Sequence, residues 1–153
     1  MSFTHFRLRA LIAAALAVVL CTGAVRSANM LPSCPDSPNC VSSRAVRPSQ
    51  QVAPFAFTGP AEAAQGRLLR IIEQDRGATV VDARQGWIAV EFRSRVFGFI
   101  DDLRFELDPA TGVFHVQSAS RLGYWDLGVN RRRVEALRAK FNAGEPAPVG
   151  QGR

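Results

Sequence analysis

At 153 residues, with 47% hydrophobic side chains and a formal net charge of +6, the chain suits one compact domain and is too apolar for a disordered one. Its basic side chains are all arginine except Lys140. Arginine suits bidentate recognition of carboxylate or phosphate, yet no basic helix here interleaves with stacking aromatics, which argues against nucleic acid.

The first segment reads as an address, separate from the fold. His5, Arg7 and Arg9 precede an unbroken apolar run from Ala10 to Cys21, followed by the small residues Thr22, Gly23 and Ala24. The run is short of the roughly 20 residues that a membrane span needs, so residues 1–24 are expected to be a secretory signal peptide. An uncleaved inner-membrane anchor is one alternative. Lipidation at Cys21 is another, although Leu20 replaces the small residue that usually precedes a lipidated cysteine. Export places the mature chain in the periplasm or envelope. Removing Arg7 and Arg9 from 19 basic side chains leaves 17 against 13 acidic ones, a mature charge of +4.

Residues 25–57 are rich in Pro, Ser and Asn and read as irregular, with Phe55 to Phe57 a candidate short strand. Cys34 and Cys40 are close enough to close a loop that Pro35 and Pro38 already stiffen. In an oxidising compartment a structural disulfide is the expected outcome, with free thiols the alternative. The spacing is not that of a redox Cys-x-x-Cys. His115 is the single histidine after processing, too few for a metal site. No cofactor is expected.

Pro60 opens a helix, and Ala61, Ala64, Leu68, Ile71 and Ile72 recur at helical spacing up to a stop at Gly77. Residues 79–84 form a short strand ending at the Gln85-Gly86 turn. In 87–93, Ile88, Val90 and Phe92 alternate against Ala89, Glu91 and Arg93. A long strand is expected over 96–108, then a turn at Asp108-Pro-Ala-Thr-Gly112, then a return strand over 113–119. A closing helix over 130–142 carries Val134, Leu137 and Phe141 on one stripe, with Gly144 as its cap. Residues 145–153 read as a flexible tail. The expected fold is α+β with two layers: a four-stranded antiparallel sheet covered on one face by two helices within residues 58–144, preceded by the disulfide-stapled irregular segment.

Three pieces in this order, Cys34-Pro-Asp-Ser-Pro-Asn-Cys-Val-Ser-Ser43, Gly98-Phe-Ile-Asp-Asp102 and Ser118 through Arg133, resemble the family catalogued as domain of unknown function 1499. The resemblance covers about residues 31–142. It implies an exported or membrane-associated small domain, and no activity.

The third piece carries the functional question. Arg131, Arg132 and Arg133 stand where a helix begins, and a cation there costs roughly 0.3–1 kcal/mol unless a negative group answers it. Ser118, Ser120, Arg121, Tyr124 and the three arginines are therefore the candidate anion-binding set. On the alternative reading Asp126 caps the helix, Tyr124 and Trp125 pack over the helix–sheet seam, and Asp101, Asp102 and Asp126 form structural ion pairs with the arginines. Adjacent in a strand, Asp101 and Asp102 are expected to point to opposite faces, which makes them a poor catalytic dyad. Parity groups Asp101 with Phe99, Leu103 and Phe105 on the buried face, where Arg121 or one of Arg131 to Arg133 would answer it.

The leading expectation is a non-catalytic envelope domain that binds a small anionic group or a partner protein, with membrane association through the N-terminal segment. A hydrolase or transferase of envelope phosphate or ester groups is the alternative, using Asp101, His115, Ser118 and Arg121 in one pocket. A purely structural accessory subunit is the third, and would expose an apolar patch.

Overall fold

The computed structural model describes residues 31–94 and 97–144. The expected signal peptide or anchor, Cys21, the strand start at Val96 and the tail 145–153 lie outside those residues. The elements run β1 (Cys40–Ser42), a 3-10 turn (Pro48–Gln50), β2 (Phe55–Ala56), α1 (Ala61–Glu73), β3 (Ala78–Arg84), β4 (Trp87–Arg93), β5 (Ile100–Asp108), β6 (Val113–Ser120) and α2 (Val129–Ala143).

Both helices form where apolar spacing directs them. In α1 the buried residues are Ala64, Leu68, Ile71 and Ile72, and in α2 they are Asn130, Val134, Leu137 and Phe141. The α2 stripe thus starts with an amide. Val90, Leu103, Phe105 and Val116 from the sheet join Leu68, Ile72, Val134 and Phe141 in one core, so both helices cover the same sheet face. Phe55 meets Phe105 and Phe141 edge-on, with ring centroids 5.1 and 5.7 Å away.

The fold is α+β as expected, but the antiparallel sheet has six strands and not four, in the order β1-β6-β5-β4-β3 with β2 also on β6. β6 is eight residues long, and its outer edge would otherwise leave a row of backbone groups unpaired. β2 pairs at Phe114 and Val113, and β1 pairs at Ala119, Ser118 and Gln117, so the two share that edge end to end. Two pieces of the segment read as irregular therefore belong to the sheet, Cys40–Ser42 and, near the expected short strand, Phe55–Ala56. The Cys34–Cys40 disulfide is formed, and Cys40 is the first residue of β1. Gln50 is buried and donates to the carbonyls of Pro35 and Ser37, both at 2.8 Å, tying the disulfide loop to the 3-10 turn.

The expected long strand begins later than its apolar run suggests. A tight turn precedes it: the Ser94 amide donates to the Phe99 carbonyl at 2.9 Å, and Gly98 takes φ 66°. Phe99 is consequently exposed and does not share the buried face with Asp101, Leu103 and Phe105.

The second sheet face is polar and densely bonded. Arg44 reaches Glu106 at 2.6 Å, and Arg104 contacts Gln117 at 3.2 Å and Asp102 at 3.5 Å. Residues 31 and 32 cross this face, with the Leu31 amide donating to Glu106 and Gln117 donating to the Pro32 carbonyl. No helix among the described residues is long and apolar enough to cross a membrane.

Candidate functional site

Strand register sorts the candidate residues before any side chain is considered. Asp101 pairs with Ser120 and Leu103 with Ser118, so Asp101, Ser118 and Ser120 all face the helices. Asp102 and His115 face the other way. That run of polar residues on a core face needs internal partners, because a buried polar group left unbonded costs about 1–3 kcal/mol.

Asn130 supplies them. Fully buried at the start of α2, its Nδ2 lies 3.1 Å from the Asn39 carbonyl, 3.0 Å from Ser120 Oγ and 2.9 Å from Asp126 Oδ2. Its Oδ1 accepts from Ser118 Oγ at 2.5 Å and from Arg133 Nη1 at 2.7 Å. Arg133 continues the chain to Asp101 at 2.6 Å and lies over the Phe92 ring, 4.5 Å from its centroid. Both partners of that ion pair are largely buried, at 14% and 10% side-chain exposure. The sequence reading gave Asn130 no role. The available signal was its place on the Val134–Leu137–Phe141 stripe, opposite the polar parity set of β6.

Asp126 takes the capping role of the alternative reading and, among the described residues, not the ion pair. It accepts from the backbone amides of Gly128 at 2.9 Å and Asn130 at 2.7 Å, so the positive end of α2 draws it in as the cap. Gly128 itself has φ 77°, which lets the chain turn into the helix.

The seven expected anion-binding residues do not share one concavity. Ser118, Ser120 and Arg133 lie in the network under α2. Arg121 lies on the polar sheet face, bonded to Asp102 at 2.8 Å and to Glu91. Those hydrogen bonds push the Arg121 pKa up, Asp102 first and Glu91 second. The Arg121 hydrogen bond is also the main reason that Asp102 titrates below the usual carboxylate range, with Arg104 adding to it. Tyr124 is exposed, as is Trp125, so neither packs over the helix–sheet seam. The loop between β6 and α2 carries them outward.

Arg131 and Arg132 meet no carboxylate within ion-pair distance among the described residues. Arg131 donates to the carbonyls of Ser49 and Gln51, both at 2.7 Å, fastening α2 to the 3-10 turn. Arg132 donates to the Leu127 carbonyl at 2.8 Å. Within the described residues both guanidiniums are thus bonded by neutral oxygen alone.

His115 lies on the polar face. Its Nδ1 is 3.1 Å from Ser43 Oγ, and its Nε2 is 3.8 Å from Asp108 Oδ2. The residue types are those of a hydrolytic triad, but the Val116 amide donates to Ser43 Oγ at 2.9 Å, so the hydroxyl serves the β1–β6 edge. Neither Ser43 nor His115 lines the larger described cleft, about 400 Å³ between the disulfide loop and residues 44–47. The cations of that cleft are matched, Arg44 by Glu106 and Arg47 by Asp36. Asp101, His115, Ser118 and Arg121, the set proposed for catalysis, are divided between the two sheet faces. No group of His, Cys, Asp or Glu among the described residues could hold a metal ion.

These features define a small, disulfide-stapled α+β domain whose arginine-rich loop sends one arginine, Arg133, into a buried polar network. The chain belongs to the family described as protein of unknown function DUF1499, whose profile matches residues 30–141. No curated protein matches it.

The network and the free charges respond differently to substitution. Asn130→Ala and Arg133→Gln should each lower unfolding free energy by about 3 kcal/mol, since each strands buried polar partners. Arg132→Gln should stay within about 0.5 kcal/mol. Urea midpoints at constant m-value measure all three. A second expectation concerns pH. Burial, and then Arg44, lowers the His115 pKa from its ordinary value. The folded state therefore binds fewer protons than the unfolded state in the window just below about pH 6.5. This contribution is complete above that pH and is lost as pH falls towards the folded pKa. In His115→Gln, melting temperature should fall less over that window than in the wild type, which paired thermal melts would reveal.

Proposed function

We propose that this protein is a non-catalytic, exported envelope domain that recognises an anionic group at the pole of the sheet where α2 begins. The observation that carries the reading is the charge left after internal pairing. Asp101 answers Arg133, Asp102 and Glu91 answer Arg121, and Asp126 is committed to the α2 amides. Arg131 and Arg132 then present two positive charges beside neutral carbonyls, at a helix end that already disfavours cations. An incoming anion relieves both effects at once.

Export is supported by the basic start and apolar run of the first 24 residues, and the Cys34–Cys40 disulfide suits an oxidising compartment. The division of Asp101, His115, Ser118 and Arg121 between two sheet faces favours binding over hydrolysis by that set.

Inorganic phosphate should raise the melting temperature of the wild type in a saturable way, because a ligand selective for the folded state stabilises it by mass action. The rise should vanish in the Arg131→Gln/Arg132→Gln double variant, with Arg133 left in place to keep the fold. Absence of any phosphate effect on the wild type, or collapse of the double variant, would make these arginines structural and end the proposal.

A further inference from the structure

The end of the sheet that carries Arg131 and Arg132 also collects the exposed apolar side chains. Two loops meet there. The β4–β5 turn is closed between Ser94 and Phe99, and the β6–α2 loop starts at Arg121, whose amide donates to the Ile100 carbonyl at 3.0 Å. Among the described residues nine large apolar side chains are exposed, and seven of them lie on these two loops and the first residue of α2. Such concentration is not the scatter expected of an ordinary surface. Phe97 and Phe99 stack on one loop, with ring centroids 5.6 Å apart. Leu122, Tyr124, Trp125 and Leu127 project from the other.

Leu127 adds a separate observation. It is the one non-glycine described residue with positive φ, 56°, yet its side chain is exposed. A left-handed leucine costs of order 1–2 kcal/mol, and no burial of its own side chain offsets that.

We propose that this pole docks on an anionic lipid surface, with the apolar loop tips entering the headgroup layer and the arginines facing lipid phosphates. The inference rests on the anion reading above and names the source of the anion. Charge supports it: Arg93, like Arg131 and Arg132, meets no carboxylate within ion-pair distance among the described residues, its closest partner being the Gly98 carbonyl at 3.4 Å. Of the carboxylates at this pole, Asp101, Asp102 and Glu91 are ion-paired with arginine. Asp126 and Asp75 are bonded by neutral amides and, like Glu73 at the end of α1, meet no cation within ion-pair distance among the described residues. Residue type supports it too. Trp and Tyr combine an apolar body with a polar tip and concentrate at membrane interfaces, flanked by arginine. A protein interface needs a complementary, close-packed surface, whereas side chains splayed from loop tips suit a soft medium.

Trp125 reports on the docking directly, because it is 66% exposed while the other tryptophan, Trp87, is 8% exposed. The full chain and its Trp125→Phe variant would be mixed with vesicles containing phosphatidylglycerol, with phosphatidylcholine vesicles as the comparison. The difference between the two proteins isolates Trp125 emission. Docking should shift Trp125 emission to the blue and allow its quenching by brominated acyl chains in the anionic vesicles only. Arg93→Gln and Arg132→Gln should each weaken that binding about fivefold. Unshifted, unquenched Trp125 overturns the proposal, as does an equal response to phosphatidylcholine, which an apolar N-terminal segment alone would produce. If Trp125 stays silent while phosphate still stabilises the chain through Arg131 and Arg132, the lipid source is wrong and the anion reading stands. If both fail, both readings fall.

Discussion

The buried amide of Asn130 bonds at one point to the disulfide loop, β6, the loop before α2 and α2 itself. It occupies the first position on the buried stripe of α2, where the later positions are Val134, Leu137 and Phe141. From there it reaches the Asn39 carbonyl beside the disulfide loop, both serines at the end of β6, the Asp126 cap and the Arg133 guanidinium. An apolar residue in its place would leave several buried polar groups without partners, and each such group is costly in a low-dielectric interior. A polar network that is fully satisfied does the opposite: it fixes one arrangement of the elements around it. Here it ties the start of α2 to the end of β6 and to the disulfide loop.

That constraint decides what the arginine-rich loop can do. Arg133 is drawn inward, because Asp101 faces the helices and must be paired. Arg121 is drawn to the opposite face, because Asp102 follows Asp101 in the strand and points the other way. Adjacent aspartates thus pull two arginines of one loop to two sides of one sheet. Arg131 and Arg132 are left outside the network. They stand beside the loop tips that carry Leu122, Tyr124, Trp125 and Leu127, and the combination of free charge and exposed aromatic surface is what makes that pole a candidate for recognition.

Much of the fold was legible because its signals are periodic. The alternation of Ile88, Val90 and Phe92 placed β4 at its observed bounds, and the helical spacing of Ala64, Leu68, Ile71 and Ile72 placed the start of α1, which ends at Glu73, short of the expected stop at Gly77. β2 was legible as a short strand at Phe55 to Phe57, but β1 and the pairing of both strands with β6 were not. At three and two residues they are too short to show alternation, and they exist because the β6 edge needs partners. Residues 97–99 were read as strand because Phe97, Phe99 and Ile100 look like an apolar run, and only tertiary closure shows that two of the three are exposed. Parity correctly separated Asp101 from Asp102 and so anticipated a buried acid seeking an arginine. Which arginine, and that an asparagine would organise the whole, depended on contacts across residues distant in sequence, such as Asn39 with Asn130.

A double-mutant cycle between Asn130→Ala and Arg133→Gln, read from unfolding free energies, tests whether the network acts as one unit. Members of a shared buried network should couple by about 1 kcal/mol or more, the double variant losing less than the sum of the single losses. The parallel cycle of Asn130→Ala with Arg132→Gln should be additive within about 0.5 kcal/mol. Additivity in the first cycle would contradict the account, because Arg133 would then owe nothing to Asn130 and would belong with the free cations of the pole.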